Sequence, residues 1–269
     1  MNSSGGFCFT VMRKLFLIIF VLLFPAMVFA EDQAIAKIFA QSGIDGAMVI
    51  SSLHSGRIFM HNDARANCRF PTASTFKILN TLIALEEKVV SGKDDLLKWD
   101  GHVRDFPDWN RDQTLESAFK VSCVWYFQEL ARRIRPHRYR KYLHKLGYGE
   151  LREPFDATAF WLDGSLVISP IEQVEFLKKV YQRSLPFSAS TYDTLQQVML
   201  VEKTPAYTIW AKTGWTAGST PQVGWYVGYV ETQHDVWFFA ANLDIRHEKE
   251  LPLRRELTRK VLQEKGIIE

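Results

Sequence analysis

Strand-like segments lie towards both ends of this sequence, and a long helix-like section separates them. Near the start, two short runs at 47–52 and 57–61 flank a His-Ser-Gly turn and predict a hairpin. After Pro205 come three more segments rich in aromatic and β-branched residues, at 207–213, 223–230 and 236–243. Neither half of such a sheet has enough partners on its own, so we expect the two ends of the chain to pair in one sheet.

The section between them, from Ser74 to about residue 201, has apolar residues mostly at helical spacing. Within it, Ser169 is followed by a proline and then by Glu172, an order that favours a helix start. Residues 253–265 predict one more helix near the end. The predicted fold class is therefore α+β: an antiparallel sheet built from the N- and C-terminal strands, with an inserted helical lobe beside it and a binding crevice between the two.

Residues 1–30 have the composition and order of an export signal. Two basic residues at 13–14 precede the apolar run 15–24, and Ala30 provides the small residue that signal peptidase recognises. An uncleaved anchor is the alternative, but the run is short of the about 20 apolar residues that a span needs. We predict cleavage near Ala30, a single domain over 31–269, and a periplasmic or secreted protein.

The formal charge of the full chain is +3, and loss of Arg13 and Lys14 with the signal lowers it to +1. So small a net charge gives no footprint for nucleic acid, which needs a clustered basic surface. No later segment is long and apolar enough to cross a bilayer. We predict neither a nucleic-acid partner nor a membrane partner after cleavage. Met12 is an alternative to Met1 as the start, because the basic residues begin directly after it.

Cys68 and Cys123 are the cysteines that remain after the predicted cleavage. An exported protein permits a disulfide between them, and two buried free thiols are equally consistent with the sequence. Both interpretations stay open. The seven histidines are scattered and no CxxC or HExxH spacing occurs, so we predict no metal site. Nothing in the sequence indicates an oligomeric state.

Ser74 and Lys77 form the first candidate catalytic motif, at the start of a predicted apolar helix. Residues at i and i+3 share a helix face, so the hydroxyl and the amine can meet without support from a loop. A serine hydroxyl is a poor nucleophile until a base removes its proton. The helix N-terminus also offers free N–H groups to a developing oxyanion. Alone, the SxxK pattern is common, and a helix start with a solvated lysine explains it equally well.

Two later motifs favour a catalytic function for Ser74 and Lys77. Ser122-Cys123-Val124 lies in the helical section, and Lys212-Thr213-Gly214 closes a predicted strand. The glycine lets a ligand amide approach the strand edge, next to a cation and a hydroxyl. Taken singly, Ser122 suits an interhelical hydrogen bond and Lys212 a solvated strand edge. In this order, SxxK, a mid-chain serine and KTG are the signature of penicillin-recognising serine enzymes.

With these motifs, the sequence resembles the class D β-lactamases, the oxacillinase group, over nearly all of the predicted mature chain. Ser-Thr-Phe-Lys at 74–77, Ser-x-Val at 122–124 and Lys-Thr-Gly at 212–214 match the three motifs of that family. Phe160-Trp161-Leu162 matches its tryptophan segment, and Leu251-Pro252-Leu253-Arg254 matches the segment that supplies a carboxylate-binding arginine. Tyr148-Gly149-Glu150 departs from the usual Tyr-Gly-Asn. We interpret it as a turn at a helix end and expect altered hydrogen bonding there, with little effect on the chemistry.

The resemblance implies that Ser74 is the nucleophile that opens a β-lactam. It also implies that CO2 N-carboxylates Lys77, and that the carbamate is the base. Apolar neighbours such as Phe76 and Val124 should lower the lysine pKa and leave a neutral amine able to add CO2. Trp161 would donate its indole N–H to the carbamate, although the sequence alone suits a plain core tryptophan. Val124 and Leu162 would line the carbamate pocket.

The remaining roles also follow from the resemblance. Ser122, with Lys212 near it, would pass a proton to the leaving nitrogen. Gly214 and Trp215 belong to the substrate-binding strand, and the Trp215 N–H would complete the oxyanion hole with that of Ser74. Thr213 and Arg254 would bind the substrate carboxylate. For Trp109 two interpretations stay open, a wall of the substrate cleft or an ordinary aromatic residue in a surface loop.

Three other functions share parts of this signature. A β-lactam sensor forms the acyl-enzyme but hardly deacylates, and its receptor domain follows membrane helices and a signalling domain, whereas this sequence shows only a signal peptide. A cell-wall transpeptidase or carboxypeptidase uses SxxK and KTG, but Ser-x-Val and Trp161 argue against it. The intact motifs argue against an inactive binding module. The preferred β-lactams depend on loop shapes, which the sequence does not determine.

Overall fold

The computed structural model describes residues 31–218 and 220–269, so the predicted export signal and its cleavage site lie outside the described residues. The strands of the described residues are, in chain order, β1 Gly46–Ser52, β2 Ile58–His61, β3 Phe70–Pro71, β4 Leu96–Leu97, β5 Gln113–Thr114, β6 Glu150–Leu151, β7 Leu166–Ile168, β8 Leu200–Lys203, β9 Tyr207–Trp215, β10 Gln222–Thr232 and β11 Val236–Ile245.

The α-helices of the same residues are α1 Gln33–Ser42, α2 Asp63–Asn67, α3 Lys77–Glu86, α4 Leu115–Lys120, α5 Val124–Ile134, α6 Pro136–Leu146, α7 Pro170–Tyr181, α8 Ala189–Met199 and α9 Leu253–Glu264. Short 3-10 helices lie at Ala73–Phe76, Pro107–Trp109 and Glu248–Glu250. None of the helices in the described part of the chain combines the length and the apolar character needed to cross a bilayer.

The main sheet is antiparallel and has the strand order β2-β1-β11-β10-β9-β8. The N-terminal hairpin joins the C-terminal strands through β1 and β11, where Val49 lies opposite Ala240. The helical lobe is inserted between β2 and β8. The predicted α+β fold, with one sheet built from both ends of the chain, is therefore confirmed.

The two faces of the sheet bury two separate cores. Successive side chains of a strand point to opposite faces. Along β1, Met48 and Ile50 accordingly pack with the terminal helices α1 and α9, whereas Val49 packs with the helical lobe. The sheet is thus covered on both sides, and β9 lies where the lobe meets the sheet.

The lobe differs from the prediction in its short strands. Predicted as helical to about residue 201, the chain instead leaves α8 at Met199 and adds β8 to the edge of the sheet. Leu200 and Val201 are exposed there. Backbone pairing with β9 holds this edge strand in place although these two side chains are not buried. A second small sheet, β3-β7-β6, joins three loops of the lobe. The sequence analysis also missed helix α1, which Asp32 caps.

Other local predictions are confirmed. Ser169 caps α7, with its hydroxyl accepting from the Glu172 N–H and the Glu172 carboxylate accepting from the Ser169 N–H. The two cysteines whose pairing was open are free thiols in the structure, with Cys68 exposed and Cys123 buried.

Candidate active site

The candidate nucleophile lies on a tight turn between β3 and α3. Ser74 belongs to the 3-10 helix Ala73–Phe76, and Lys77 is the first residue of α3. The prediction that Ser74 lies in the first turn of an α-helix is therefore wrong. Ser74 lies in a turn of 3-10 helix, and the α-helix begins three residues later at Lys77. Ala73 has a φ of 46°, a left-handed conformation that is strained for a residue with a Cβ and is typical of functional turns. The Ser74 Oγ accepts a hydrogen bond of 2.9 Å from the Lys77 Nζ.

Lys77 is completely buried, and its surroundings are apolar. Its Nζ lies 5.1 Å from the centre of the Phe127 ring. Burial lowers the pKa of Lys77 to about 7, because the charged form loses its hydration. The predicted fall in pKa is confirmed, and a neutral amine is readily available at neutral pH. The sequence analysis missed Phe127, although it lies three residues after Val124 and so on the same helix face.

Trp161 is also completely buried, stacked on the Phe76 ring with 5.8 Å between centroids. Its indole Nε1 has no hydrogen-bond partner among the described residues. A buried donor without a partner costs about 1–3 kcal/mol, so an acceptor bound there would recover that cost. A lysine amine that is readily neutral, and an unpaired indole N–H on the tryptophan stacked against the residue before it, fit a carbamate on Lys77; apolar Val124 and Leu162 line the adjoining cavity.

A second serine–lysine pair, a half-buried serine with a buried lysine, lies where the lobe meets the sheet. Ser122 occupies the turn between α4 and α5, with a φ of 56°, and Lys212 lies on β9. The Lys212 Nζ donates to the Ser122 Oγ at 2.5 Å and to the Thr213 carbonyl at 3.2 Å. Burial, and then the nearby charge of Lys77, hold the pKa of Lys212 well below its usual value. A lysine with a lowered pKa exchanges a proton readily with its hydrogen-bond partner, so the pair can relay a proton to or from a group in the cleft.

Both pairs border one cavity of about 560 Å³. Most of the candidate site residues line it: Ser74, Ser122, Val124, Leu162, Thr213, Gly214, Trp215 and Arg254. Lys77, Lys212 and Trp161 do not line it, because they are buried beneath its wall. The structure therefore brings all the predicted site residues together at one cleft between the lobe and the sheet.

Arg254 reaches this cavity from the start of α9. Its Nη1 donates to the Gly214 carbonyl at 2.5 Å, and its Nε has no partner among the described residues. Burial lowers the pKa of Arg254 to about 10, which leaves the guanidinium charged at neutral pH. A Cβ at Gly214 would lie 3.2 Å from the Thr75 side chain, so a glycine suits this position. The arginine thus presents a partly desolvated cation to any carboxylate in the cleft.

Two aromatic residues wall the outer cleft. Trp109 lines the cavity, and its Nε1 donates to the Val121 carbonyl at 2.9 Å, which fixes the ring. Phe106 packs on it with 4.4 Å between ring centroids. Of the two open interpretations of Trp109, the cleft wall is the one that the structure supports. Phe106 and Leu251 also line the cavity and were not predicted as site residues.

The nucleophile turn rests on a buried polar contact that the sequence analysis also missed. Gln173 of α7 is completely buried and donates from Nε2 to the Thr75 Oγ1 at 2.8 Å. Thr75 in turn donates to the Thr72 carbonyl at 2.6 Å. These contacts tie the residue after Ser74 to the start of its own turn and to α7. No local pattern marks Gln173, because a single glutamine on an apolar helix face has many explanations.

Glu150 lies on β6 rather than in the helix-end turn proposed for it, since α6 already ends at Leu146. Its carboxylate accepts from the Arg69 Nη1 at 2.6 Å, and Arg69 also pairs with Glu172. The residue does not line the cavity. The altered hydrogen bonding expected at Glu150 is therefore its bond to Arg69, and this bond lies away from the cleft.

No group of three or more His, Cys, Asp and Glu side chains is arranged to hold a metal ion among residues 31–218 and 220–269. The polar side chains of the site include two serines, two buried lysines, an arginine and a tryptophan whose indole N–H is unpaired.

Comparison with known proteins gives a consistent result. The family model "Penicillin binding protein transpeptidase domain" matches residues 44–263. Beta-lactamase OXA-48 of Klebsiella pneumoniae is 39% identical over 259 residues, covering 96% of this chain and 98% of the relative. The crystal structure of the class D β-lactamase YbXI from Nostoc is 43% identical with a TM-score of 0.84, covering 86% of this chain and 98% of that one. The regulatory protein BlaR1 of Bacillus licheniformis is 34% identical over 88% of this chain and 39% of its own length.

Proposed function

Because this chain belongs to the class D β-lactamases, we propose that it hydrolyses β-lactam antibiotics through an acyl-enzyme on Ser74 and so confers resistance to them. The observation that carries the proposal is the pair of Ser74 and Lys77, 2.9 Å apart, at a cavity that also holds Ser122, Thr213 and Arg254. A nucleophile, a base, a proton donor and a carboxylate-binding cation are then within one cleft.

The base in this proposal is Lys77 N-carboxylated by CO2. Bound there, the carbamate would supply a buried anionic base for both acylation and deacylation. Three properties of the chain support it: a lysine with a pKa of about 7, an unpaired Trp161 N–H, and an apolar wall of Val124 and Leu162. Trp161 would hold the added group, and the two aliphatic side chains would limit the water that reaches it.

Acylation uses the rest of the cleft. The Ser74 Oγ loses its proton to the base at Lys77 and attacks the lactam carbonyl carbon, and the bond between that carbon and the ring nitrogen breaks. The backbone N–H groups of Ser74 and Trp215 stabilise the oxyanion. Ser122, hydrogen-bonded to Lys212, relays a proton to the departing nitrogen. Water then releases the product from Ser74.

The substrate carboxylate is the group that orients the β-lactam. Thr213 offers a hydroxyl, and Arg254 offers a guanidinium whose Nε is unpaired among the described residues. A charge-assisted hydrogen bond to a partly buried arginine is stronger than one made in water. We assign Gly214 to the edge along which the substrate amide lies.

A sensor that acylates without turnover is the second candidate, and the similarity to BlaR1 favours it. Steady-state hydrolysis of a chromogenic cephalosporin separates the two, using enzyme that has been decarboxylated at acid pH and then neutralised. We expect many turnovers once bicarbonate is added. A single stoichiometric burst would assign the sensor function, whereas full turnover without bicarbonate would remove the carbamate from the mechanism.

We also propose that the chain is exported and cleaved after Ala30. The support is the order of basic residues, apolar run and small residue in 1–30. N-terminal sequencing of the protein from the periplasm or the medium should begin at Glu31. An intact N-terminus on protein retained in the membrane fraction would contradict this.

A further inference from the structure

The end of α5 and the whole of α6 carry a dense run of positive charge. Residues 130–149 contain no Asp or Glu, and seven Lys and Arg side chains lie at 132–145: Arg132, Arg133, Arg135, Arg138, Arg140, Lys141 and Lys145. His137 and His144 lie in the same run. Nothing in the proposed mechanism uses these residues, and none of them lines the cavity at Ser74.

Helix α6 separates its residues sharply by face. Tyr139, Leu143 and Leu146 are buried against the lobe. The exposed residues recur at helical spacing on the other side, and together with the residue before the helix they form the basic face of α6: Arg135, His137, Arg140, Lys141, His144 and Lys145. From His137 to Lys145 this face is about 12 Å long, at 1.5 Å per residue.

Part of this charge is neutralised and part is not. Glu129 pairs with Arg132 and Arg133, Glu87 with Arg138, and Glu153 with Arg140. Within the described part of the chain, three cations of the basic face form no ion pair: Arg135, Lys141 and Lys145.

The charge is also unevenly distributed over the molecule. Seven cations less the three paired glutamates leave +4 on this region, whereas the chain without residues 1–30 carries +1 in total. The rest of the protein is therefore −3, and the molecule has an electrostatic dipole directed through α6.

We propose that the basic face of α6 docks the protein on the anionic phosphate surface of a lipid bilayer. Lysine and arginine side chains exposed on one side of α6 complement such a surface, and each cation near it contributes favourably. None of the large exposed apolar side chains of the described residues lies on α6, so the contact is electrostatic and reversible.

A bilayer fits this face better than nucleic acid does. Tyr139 is buried and Tyr142 is half-buried, so the face presents no aromatic ring on which a base could stack. The proposed export would also leave the mature protein beside a membrane. The sequence argued against a membrane partner because no later segment is long and apolar enough to cross a bilayer, and that length does not measure how charge is distributed over the surface.

Vesicle co-sedimentation at low and high salt tests the proposal, with phosphatidylcholine vesicles that contain or lack phosphatidylglycerol. The test variant is Arg135→Glu/Lys141→Glu/Lys145→Glu. The matched control, Lys37→Glu/Lys249→Glu/Lys260→Glu, makes the same change in net charge at exposed cations without ion pairs elsewhere on the described surface. All three proteins share one N-terminus, so its own contribution cancels.

We expect the parent protein to bind only the phosphatidylglycerol vesicles, and to release them at high salt. The α6 variant should bind roughly 100-fold more weakly, and the control should stay within about three-fold of the parent. Turnover of a soluble β-lactam should be unchanged in both variants. No binding by the parent, or equal losses in the two variants, would overturn the proposal. Tighter binding to duplex DNA than to vesicles, lost in the α6 variant, would reassign the face to nucleic acid.

Discussion

Two serine–lysine pairs, each with a buried lysine, lie at the cleft; they look alike and are built differently. Ser74 and Lys77 are three residues apart, and their contact lies within one turn of chain. Ser122 and Lys212 are 90 residues apart, and their contact joins the helical lobe to β9. In both pairs the lysine is buried and its pKa is lowered by the loss of hydration.

The difference between the pairs lies in what surrounds each lysine. Lys77 lies against the Phe127 ring, and the tryptophan with the unpaired indole N–H is stacked on Phe76, the residue before Lys77, so these surroundings suit the addition of an anionic group. Lys212 already has three oxygen acceptors, from Ser122 and Thr213. One pair is thus suited to becoming a base and the other to passing a proton. The two serine–lysine hydrogen bonds are similar, and the groups packed around each lysine determine which chemistry the pair can perform.

Removing the serine of each pair gives the largest expected effects. Ser74→Ala should lower kcat by a factor of roughly 10⁶ and abolish the covalent adduct, because no nucleophile remains. Ser122→Ala should lower it by roughly 10²–10⁴ and still form the adduct slowly. Steady-state kinetics and intact mass after incubation with a penicillin measure both. An adduct of normal yield on Ser74→Ala would disprove the assignment of the nucleophile.

Trp161→Phe tests the difference in surroundings. The phenylalanine keeps an aromatic ring against Phe76 and loses only the N–H. The bicarbonate concentration for half-maximal activity should rise by roughly 10–100-fold, as is usual when a supporting hydrogen bond to a bound group is lost. Saturating bicarbonate should restore most of the activity. Ser122→Ala is the control. If bicarbonate restored the activity of that variant equally well, the dependence on bicarbonate would not be specific to the surroundings of Lys77.

The pH dependence of reactivation distinguishes the lysines further. The pKa of Lys77 is about 7, and only its neutral form can add CO2. Recovery of decarboxylated enzyme in bicarbonate should therefore slow by about ten-fold for each pH unit below 7, and level off above it. Jump experiments at fixed dissolved CO2 measure this rate. A rate that does not change between pH 5 and 8 would contradict the proposed role of the neutral amine.

Glu150→Asn should have the smallest effect, since it lies outside both pairs. Arg69 keeps its bidentate partner Glu172, and an exposed ion pair contributes about 0–1 kcal/mol. We expect kcat within two-fold of the parent and a Tm lower by roughly 3 °C or less. Glu172→Gln, which removes the stronger partner of Arg69, is the comparison. A loss of activity in Glu150→Asn with unchanged Tm would mean that β6 acts on the cleft.

Much of the fold and site was predictable because its signals are local. Strand composition at both ends required one shared sheet, and Ser169 with Glu172 marked the start of α7. Three motifs, read in order, identified Ser74, Ser122 and Thr213, which line the cleft, and the family resemblance added Leu162 and Arg254. The contacts that were missed depend on distant partners: β8 on pairing with β9, and Gln173 on its bond to Thr75.

The sequence by itself determined that Ser74 and Lys77 share one face of a helical turn, because residues three apart on such a turn lie on the same side. It also determined that the two chain ends pair, because neither has enough strands alone. Only the tertiary structure decided what that lysine is next to. The indole N–H of Trp161, the Phe127 ring and the second pair across the lobe come from segments far apart in the chain. Their burial, and with it the pKa of Lys77, depends on packing, which no local pattern encodes.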